Sequence, residues 1–212
     1  MEFLSQIVDL FLHLDDHILD VVNNWGNLTY VLLFCIIFCE TGLVFTPFLP
    51  GDSLLFVLGT LAAGQILDLK LLLGILIPAA IAGDSVNYWI GHLLAPKIIS
   101  QQKVRFIRKE HIDRTAAFFE KYGGKTIIIA RFVPLIRTFA PFLAGVGAMR
   151  YSKFFLYNVV GGLAWVTVGI LAGYFFGNLA FVKKNFSLVV LLIVVISLLP
   201  AVWEYLQHKR KN

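Results

Sequence analysis

The sequence predicts an all-α polytopic membrane protein, and three observations support that prediction. Hydrophobic residues make up 58% of the 212 residues, whereas roughly half is usual for a soluble domain. The mean hydropathy is +0.81. The apolar residues also lie in long runs, and runs of about 20 such residues are typical of membrane-spanning helices. We therefore expect a single membrane domain over residues 1–212.

An amphipathic helix is predicted at the N-terminus, over residues 1–25. Apolar side chains recur there at helical spacing, and Asp9, Asp16 and Asp20 interrupt them. Such a helix is expected to lie at the membrane interface or against the protein. Because its polar face is acidic, attraction to anionic lipid is a poor explanation for it. The helix is expected to end at Gly26.

Four apolar runs are candidates for spanning helices. They cover residues 28–45, 69–94, 154–177 and 183–204. A fifth run, residues 53–64, is too short to span the membrane as a helix. At 1.5 Å per residue it covers roughly 18 Å of a hydrocarbon core that is roughly 30 Å thick.

Two stretches break the helical pattern inside apolar sequence, at about residues 46–65 and 126–150. Proline and glycine at these places end or bend a helix. A re-entrant hairpin, which enters and leaves on the same side of the membrane, fits each stretch better than a continuous span. Irregular backbone at that depth is tolerated only where it is buried in protein or lines a wet cavity. The predicted turn residues are Pro47, Pro50, Gly51, Pro134, Pro141 and Gly145.

The two hairpins resemble each other in sequence. TPFLPG at residues 46–51 recurs as APFLAG at residues 140–145. Further along, three residues recur at equal spacing, Tyr88, Gly91 and Lys97 in the first half and Tyr174, Gly177 and Lys183 in the second. We therefore predict a duplicated unit of hairpin plus spanning helix, with copies over residues 26–97 and 126–180.

The charge distribution predicts the orientation of the chain. Residues 95–125, which include the basic loop 98–125, carry eight Lys or Arg against three Asp or Glu. Since cytoplasmic loops hold the excess of positive charge, we place this loop, the basic tail 205–212 and both termini in the cytoplasm. The first hairpin then enters from outside and the second from the cytoplasm, so the two units are inverted. Inverted repeats with broken helices are typical of secondary transporters.

Charged side chains inside the apolar stretches are functional candidates, because a charge in the membrane is energetically unfavourable. Arg131 and Arg137 flank Pro134, so both can point into one cavity, where the guanidinium fork suits a phosphate headgroup. Glu40 and Asp52 either take up and release protons or only neutralise the arginines and hold the hairpins together. The sequence leaves both interpretations of the carboxylates open.

Four further residues are secondary candidates: Asp84, Tyr88, Asn158 and Trp165. Asp84 and Tyr88 share helical spacing with small residues, which indicates a face turned towards protein. Asp84 fits a structural role as well as a functional one. Asn158 and Trp165 are interpreted as helix-packing residues that also line the cavity.

Several other chemistries are not predicted. The five histidines are scattered and none is placed with a nucleophile, so we expect no enzymatic activity. Without a CxxC motif or a histidine cluster, we expect no metal and no cofactor. Cys35 and Cys39 are interpreted as small buried hydrophobic residues. No nucleic-acid partner is expected.

Several motifs surround the charged residues: Glu40, FLPGDSLLF (48–56), GDSVNYWIG (83–91), FEKYGGKTIIIARFVPLIRTFAPFLAG (119–145) and residues 158–165. With these motifs the chain resembles the DedA family, also called the SNARE-associated or VTT-domain membrane proteins. The resemblance covers about residues 26–180.

The resemblance implies a bacterial inner-membrane protein whose fold has two opposed re-entrant helices. It implies that the key acidic residues are Glu40 and Asp52 and that the key arginines are Arg131 and Arg137. For bacterial members it implies a role in proton-motive-force-dependent membrane homeostasis and in returning undecaprenyl phosphate across the membrane. For eukaryotic relatives it implies lipid scrambling.

The leading functional hypothesis is a proton-driven transporter, or flippase, of an anionic lipid, with undecaprenyl phosphate as the expected substrate. Its expected partners are membrane lipid and protons, and a homo-oligomer is left open. The alternatives are an exporter of ions or small drugs, a lipid scramblase, an intramembrane lipid phosphatase or transferase, and an assembly factor whose charges serve only folding.

Overall fold

The computed structural model describes residues 14–43, 51–100, 123–147 and 149–177, together with residues 179, 182, 188, 189 and 192. Within this part of the chain the regular secondary structure is α-helical, which confirms the predicted all-α class for the described residues. The helices are α1 (Leu14–Trp25), α2 (Leu28–Gly42), α3 (Gly51–Ala63), α4 (Leu69–Ser100), α5 (Lys125–Ala130), α6 (Pro134–Val146) and α7 (Tyr151–Phe176).

Two of these helices are long and apolar enough to cross a membrane, judged by length and composition. They are Leu69–Ala95 in α4, with 27 residues, and Tyr151–Phe176, with 26. Both coincide closely with predicted spans, at 69–94 and 154–177. Their lengths correspond to roughly 40 Å at 1.5 Å per residue, which exceeds the roughly 30 Å hydrocarbon core.

The N-terminal part of the described chain agrees with the predicted order of elements. α1 lies within the predicted amphipathic helix and is followed by a turn at Gly26, whose φ of +53° is a left-handed value that glycine adopts readily. α2 is shorter than the predicted span of residues 28–45. It has 15 residues, or roughly 22 Å, and ends at Gly42.

Some predictions fall outside the described residues. These are Pro47 and Pro50 of the first hairpin, the basic tail, most of the basic loop 98–125 and nearly all of the last span 183–204. The described parts of the loop extend neighbouring helices, since α4 continues to Ser100 and α5 begins at Lys125.

The second predicted hairpin is a broken helix. α5 ends at Ala130 and α6 begins at Pro134. Val133 is extended, with φ −118° and ψ 104°, because a following proline disfavours the helical conformation. Proline is well tolerated as the first helical residue, where its missing N–H would have no partner. The break therefore falls immediately after α5, beside Arg131.

Three of the predicted turn residues lie in helices. Gly51 is the first residue of α3, and Pro141 and Gly145 lie inside α6. Pro141 cannot donate to the carbonyl of Arg137 one turn earlier, yet α6 continues through it. The prediction of a turn at Pro141 and Gly145 is therefore wrong. The small size of Gly145 serves helix packing, as described below.

Among the described residues two compact units are distinguished. The first consists of residues 14–35, 51–76 and 166–177, and the second of residues 36–43, 77–100, 123–147 and 149–165. The helices α2, α4 and α7 supply residues to both units.

In the first unit α3 is the most buried helix. Ten of its 13 residues are buried, and α1 also packs against it. α3 crosses α7 at glycines. A Cβ atom at Gly59 would overlap the carbonyl oxygen of Ile170, and one at Gly173 would overlap the carbonyl oxygen of Phe56. Small residues allow this close approach of two helix backbones.

In the second unit α6 crosses α4 in the same manner. A Cβ atom at Gly91 would overlap the carbonyl oxygen of Phe142, and one at Gly145 would overlap the carbonyl oxygen of Tyr88. Buried residues of α4, α5, α6 and α7 form a common apolar core beside this crossing. They include Tyr88, Ile127, Ala140, Ala144 and Phe154.

The two crossings use the same residue pattern. In each, a Phe-x-x-Gly segment of a short helix lies against a glycine of a long helix, Phe56 to Gly59 against Gly173 and Phe142 to Gly145 against Gly91. The sequence repeat had aligned Gly51 with Gly145, whereas the packing assigns the role of Gly145 to Gly59. In the long helices the repeat had aligned Gly91 with Gly177, whereas the packing assigns the role of Gly91 to Gly173. The packing therefore differs from the predicted register in both the short and the long helices.

Candidate functional site

The first buried ion pair of the second unit forms at the break between α5 and α6. Arg131 is 1% exposed and Asp84, on α4, has no exposed surface. The Arg131 Nη2 group donates to the carboxylate of Asp84. It also lies 2.6 Å from the Asn158 Oδ1 atom and 3.2 Å from the carbonyl oxygen of Ala80. Residues of α4 and α7 thus hold one end of the guanidinium.

The orientation of Asn158 is fixed by its own donors. Its Nδ2 group donates to the carbonyl oxygen of Ile81 at 2.9 Å and to Ser85 Oγ at 3.2 Å. A carbonyl oxygen only accepts hydrogen bonds, so the amide nitrogen must face Ile81 and the amide oxygen must face Arg131. Ser85 in turn donates to Ile81 at 2.7 Å. Asn158 is therefore an oriented acceptor for the guanidinium.

Two adjacent glycines of α7 make room for the Arg131 side chain. A Cβ atom at Gly161 would lie 3.0 Å from Arg131 Cδ, and one at Gly162 would lie 3.2 Å from Nη1 and 2.9 Å from Ile81 Cγ1. Such distances are tight for a methyl group in a packed interior. The Gly161–Gly162 pair is therefore part of the arginine site.

The hydrogen-bonding capacity of this pair is only partly used. Arg131 Nε and Nη1 and Asp84 Oδ1 are buried and have no hydrogen-bond partner among the described residues. Buried polar groups in proteins are otherwise almost always hydrogen-bonded. The pair therefore has two donor groups with three N–H bonds on its cationic side and one acceptor oxygen on its anionic side available to other groups.

The second ion pair joins α6 to α2. Arg137 Nη2 lies 2.5 Å from Glu40 Oε1, and the two side chains are 2% and 0% exposed. The guanidinium carbon of Arg137 also lies 4.6 Å from the ring centroid of Trp165, which is within the range of a cation–π interaction. The aromatic face and the carboxylate both stabilise the charge of this arginine.

Asn87 forms hydrogen bonds to both backbone segments that carry the second ion pair. Its Nδ2 group donates to the carbonyl oxygen of Thr41 at 3.1 Å and to that of Thr138 at 2.8 Å. These residues directly follow Glu40 and Arg137. The Thr41 carbonyl lies at the C-terminal end of α2, where helical carbonyls lack intrahelical partners. Asn87 therefore holds the two charged segments at a fixed separation.

The remaining predicted residues take different positions. Tyr88 donates its hydroxyl to the carbonyl of Met149, and its ring stacks on Phe154 with centroids 4.6 Å apart. Those contacts place Tyr88 in the apolar core. Asp52 lies in the first turn of α3, in the first unit, and is half-buried. Of the two principal acids, Glu40 therefore belongs to the second unit with both arginines.

Two polar residues of this site are not among the site candidates that the sequence predicts. They are Ser85 and Asn87, which lie within one turn of Asp84 on α4. Polar side chains clustered on one face of an apolar helix already indicate contact with protein. That signal was present, but the partner of each residue depends on where α6 and α7 approach.

The cysteines differ from their predicted environment. Cys35 is exposed and Cys39 is half-buried, and neither forms a disulfide bond within the described part of the chain. The prediction that both are buried is therefore wrong, because Cys35 shares one exposed face of α2 with Leu28 and Val31. Among the described residues, no group of three or more His, Cys, Asp or Glu side chains is arranged to hold a metal ion.

The chain resembles known proteins over most of its length. The VTT domain matches residues 45–175. Identity to Protein DedA of Escherichia coli (strain K12) is 49% over 212 residues, covering 99% of this chain and 97% of that protein.

Two further relatives extend this resemblance. The uncharacterized membrane protein Rv0364 of Mycobacterium tuberculosis (strain H37Rv) is 47% identical over 181 residues, covering 84% of this chain and 78% of that protein. The inner membrane protein YghB of Escherichia coli (strain K12) is 33% identical over 193 residues, covering 88% of this chain and 83% of that protein. No solved structure matches the chain.

Proposed function

Because the chain belongs to the DedA family of VTT-domain membrane proteins, we propose that it carries an anionic lipid across the bacterial inner membrane, driven by the proton-motive force. Undecaprenyl phosphate is the leading substrate, and envelope homeostasis is the expected role. The observation that carries the proposal is the presence of Arg131 and Arg137, both buried, in one compact unit.

The arginines bind the phosphate headgroup in this mechanism. A guanidinium stays protonated and binds phosphate oxygens through charge-assisted hydrogen bonds. The buried Nε and Nη1 groups of Arg131, which have no acceptor among the described residues, are suited to that task. The isoprenoid chain stays in the lipid, where its burial is favourable, so only the headgroup has to enter the protein.

The carboxylates couple headgroup movement to protons. Glu40, paired with Arg137, and Asp52, for which the family resemblance is the support, are the groups that we assign to this step. In a medium of low dielectric constant a phosphate cannot join a neutral ion pair without a compensating positive charge. A proton on a carboxylate supplies that charge.

A specific membrane arrangement goes with this proposal. The broken helix around Arg131–Val133 and the short helix α3 are re-entrant, and the two halves are inverted repeats with both termini in the cytoplasm. The paired Phe-x-x-Gly crossings support a duplicated unit, and the similarity to the inner membrane protein YghB supports the inner membrane. Inverted repeats with discontinuous helices suit alternating access.

We assign transport rather than bond cleavage to this site. The partners described above for Arg131 and Arg137 are carboxylates, an amide, a backbone carbonyl and an indole, and the nearby Ser85 hydroxyl donates to the carbonyl oxygen of Ile81 rather than to a base. Covalent catalysis needs a nucleophile paired with a base. The partners in this proposal are lipid and protons, and it involves no cofactor, metal or nucleic acid.

A flipping assay with the purified chain in lipid vesicles tests the proposal. Fluorescent polyprenyl phosphate is reconstituted with the wild-type protein, with or without an imposed proton gradient. Arg131→Ala and Arg137→Ala should each reduce flux by at least about 100-fold, because headgroup binding and ion pairing are both lost. Arg150→Ala, at an exposed arginine, is the matched control and should retain flux.

The outcomes separate the functional classes. Flux that requires the gradient, and that is lost when either Arg131 or Arg137 is replaced, supports the proposed transporter. Equal flux without a gradient would indicate a scramblase, and gradient-driven flux of a small cation or drug without lipid movement would indicate an exporter. Normal lipid flux in both buried-arginine variants would rule out the arginine mechanism.

A further inference from the structure

We propose that Asp84 is an exchangeable counterion of Arg131, which takes up a proton when a phosphate monoester binds the guanidinium and loses it when the phosphate leaves. This inference rests on the proposed function and adds a residue and an order of events to it. The ligand chemistry is that of a phosphate monoester, whether on a lipid or free in solution.

The first observation is the incomplete hydrogen bonding of the pair. A buried ion pair that serves only structure is expected to satisfy its remaining donors and acceptors. Here Arg131 Nε and Nη1 and Asp84 Oδ1 have no partner in the described part of the chain, although both residues are almost completely buried. The available donors fit phosphate oxygens, and the available carboxylate oxygen fits a proton.

The second observation is the charge of the pair. Arg131 and Asp84 together are neutral, whereas a phosphate monoester carries about one to two negative charges near neutral pH. Adding it to an ionised pair would leave net negative charge in a buried site, which is strongly unfavourable. Protonation of Asp84 removes one negative charge, so Arg131 can then pair with the phosphate.

The neutral partners of Arg131 do not depend on the charge of Asp84. Asn158, held in place by Ile81 and Ser85, keeps one end of the guanidinium fixed whether or not Asp84 is ionised. The charged groups that act on the Asp84 carboxylate are Arg131 and Arg137, and Glu40 acts on Arg131. Asn158 and Ser85 are neutral.

The charges balance at each step. A proton adds to Asp84 Oδ1, and the ion pair with Arg131 becomes a neutral carboxyl beside a cation. Phosphate oxygens then accept hydrogen bonds from Arg131 Nε and Nη1. When the phosphate leaves, the carboxyl gives its proton to water and pairs again with Arg131. At this ion pair, therefore, one proton accompanies each phosphate, in addition to the step assigned to Glu40 and Asp52.

Asp84→Asn separates this role from a structural one. The amide keeps the shape and an acceptor oxygen but cannot ionise, so Arg131 has no competing negative charge. Binding of geranylgeranyl monophosphate in detergent should become about tenfold tighter, or about 1.4 kcal/mol, while proton-driven flux falls. A structural role predicts the opposite sign, namely weaker binding. Asp68→Asn, the same substitution at an exposed aspartate outside this site, is the matched control and should bind as the wild type does.

Proton uptake is measured by calorimetry in buffers of different ionisation enthalpy. The wild type should take up about one more proton per bound lipid than Asp84→Asn. Inorganic phosphate and uncharged geranylgeraniol serve as the two ligand controls. Proton-linked binding of inorganic phosphate with similar affinity would assign the site to free phosphate, and binding of the alcohol as tightly as the phosphate would overturn the proposal.

If Asp84→Asn does not fold, infrared difference spectra of the wild type decide the question. Adding geranylgeranyl monophosphate should produce the carbonyl band of a protonated carboxyl, and the absence of that band overturns the exchange. Arg131→Ala keeps the two proposals distinct. If Arg131→Ala abolishes binding but proton uptake in Asp84→Asn equals that of the wild type, only the role of Asp84 is wrong.

Discussion

At the scale of single residues, the site depends on neutral side chains that orient the charged ones. Arg131 is held by one carboxylate, one amide oxygen and one backbone carbonyl, and Asn158 is itself held by Ile81 and Ser85. A long flexible side chain loses considerable rotamer freedom when it is fixed in this way. The neutral partners therefore determine which donors of Arg131 remain available.

Asn158→Ala should destabilise the protein by about 1–3 kcal/mol, because the Arg131 Nη2 group and the Ile81 carbonyl each lose a buried partner. Equilibrium unfolding in mixed detergent micelles measures the change. Ser85→Ala is the control and should cost less than about 1 kcal/mol, since Asn158 keeps its bond to Ile81. An equal loss of stability in the two variants would contradict the larger role that we assign to Asn158.

The sequence was informative about the charged residues and less so about their pairing. The charges within apolar runs indicated Glu40, Asp52, Arg131 and Arg137 as the principal candidates. Three of these are buried, and Asp52 is half-buried. The sequence ranked Asp84 as secondary, yet it is in direct contact with Arg131. Which acid meets which arginine depends on helix contacts between residues far apart in the chain, so local sequence could not specify it.

At the scale of helices, glycines set the distance between the short and long elements. In both units a Phe-x-x-Gly segment of a short helix lies against a glycine of a long one. In each case the long helix belongs to the other half of the predicted repeat, α3 with α7 and α6 with α4. A duplication in which each short helix packs on the long helix of the other copy accounts for the pattern.

Gly91→Ala and Gly145→Ala should each destabilise the protein, by about 1–3 kcal/mol or more, because the added methyl group overlaps a backbone carbonyl and forces α4 and α6 apart. Gly74→Ala is the matched control on α4, where a Cβ atom meets nothing within 4 Å. It should be neutral or stabilising by up to about 1 kcal/mol. Thermal unfolding in detergent compares the three, and equal melting temperatures would refute the packing role.

The sequence predicted the long helices far better than the broken ones. The long runs at 69–94 and 154–177 are helical almost throughout, because length and continuous hydrophobicity leave the backbone few alternatives. The helix is interrupted just before Pro134, but it continues through Pro141. A proline ends a helix only where the surrounding contacts do not favour continuing it, and those contacts are tertiary.

At the scale of the whole molecule, the proposed orientation rests on the distribution of lysine and arginine. Lys70, at the start of α4, is expected outside the cell, and Lys153, at the start of α7, is expected in the cytoplasm. Both side chains are exposed. The expectation follows from the excess of positive charge that cytoplasmic loops carry.

Thiol labelling in spheroplasts tests this orientation. In a protein with Cys35→Ser and Cys39→Ser, a membrane-impermeant maleimide should label Lys70→Cys in intact spheroplasts and Lys153→Cys only after permeabilisation. The wild-type chain is a further control, because its cysteines lie on the apolar helix α2 and should react slowly. Labelling of Lys153→Cys in intact spheroplasts would reverse the orientation.

The sequence by itself determined the helical class, the two long apolar helices, the break at Pro134 and the burial of Glu40, Arg131 and Arg137, although the fourth principal candidate, Asp52, is half-buried. These properties follow from composition, periodicity and backbone chemistry, which act over a few neighbouring residues. The tertiary structure alone decided the pairing of Arg131 with Asp84 and Asn158, the pairing of Arg137 with Glu40, and the register of the glycine crossings. Each of these joins residues distant in the chain, and many such pairings satisfy the same local pattern.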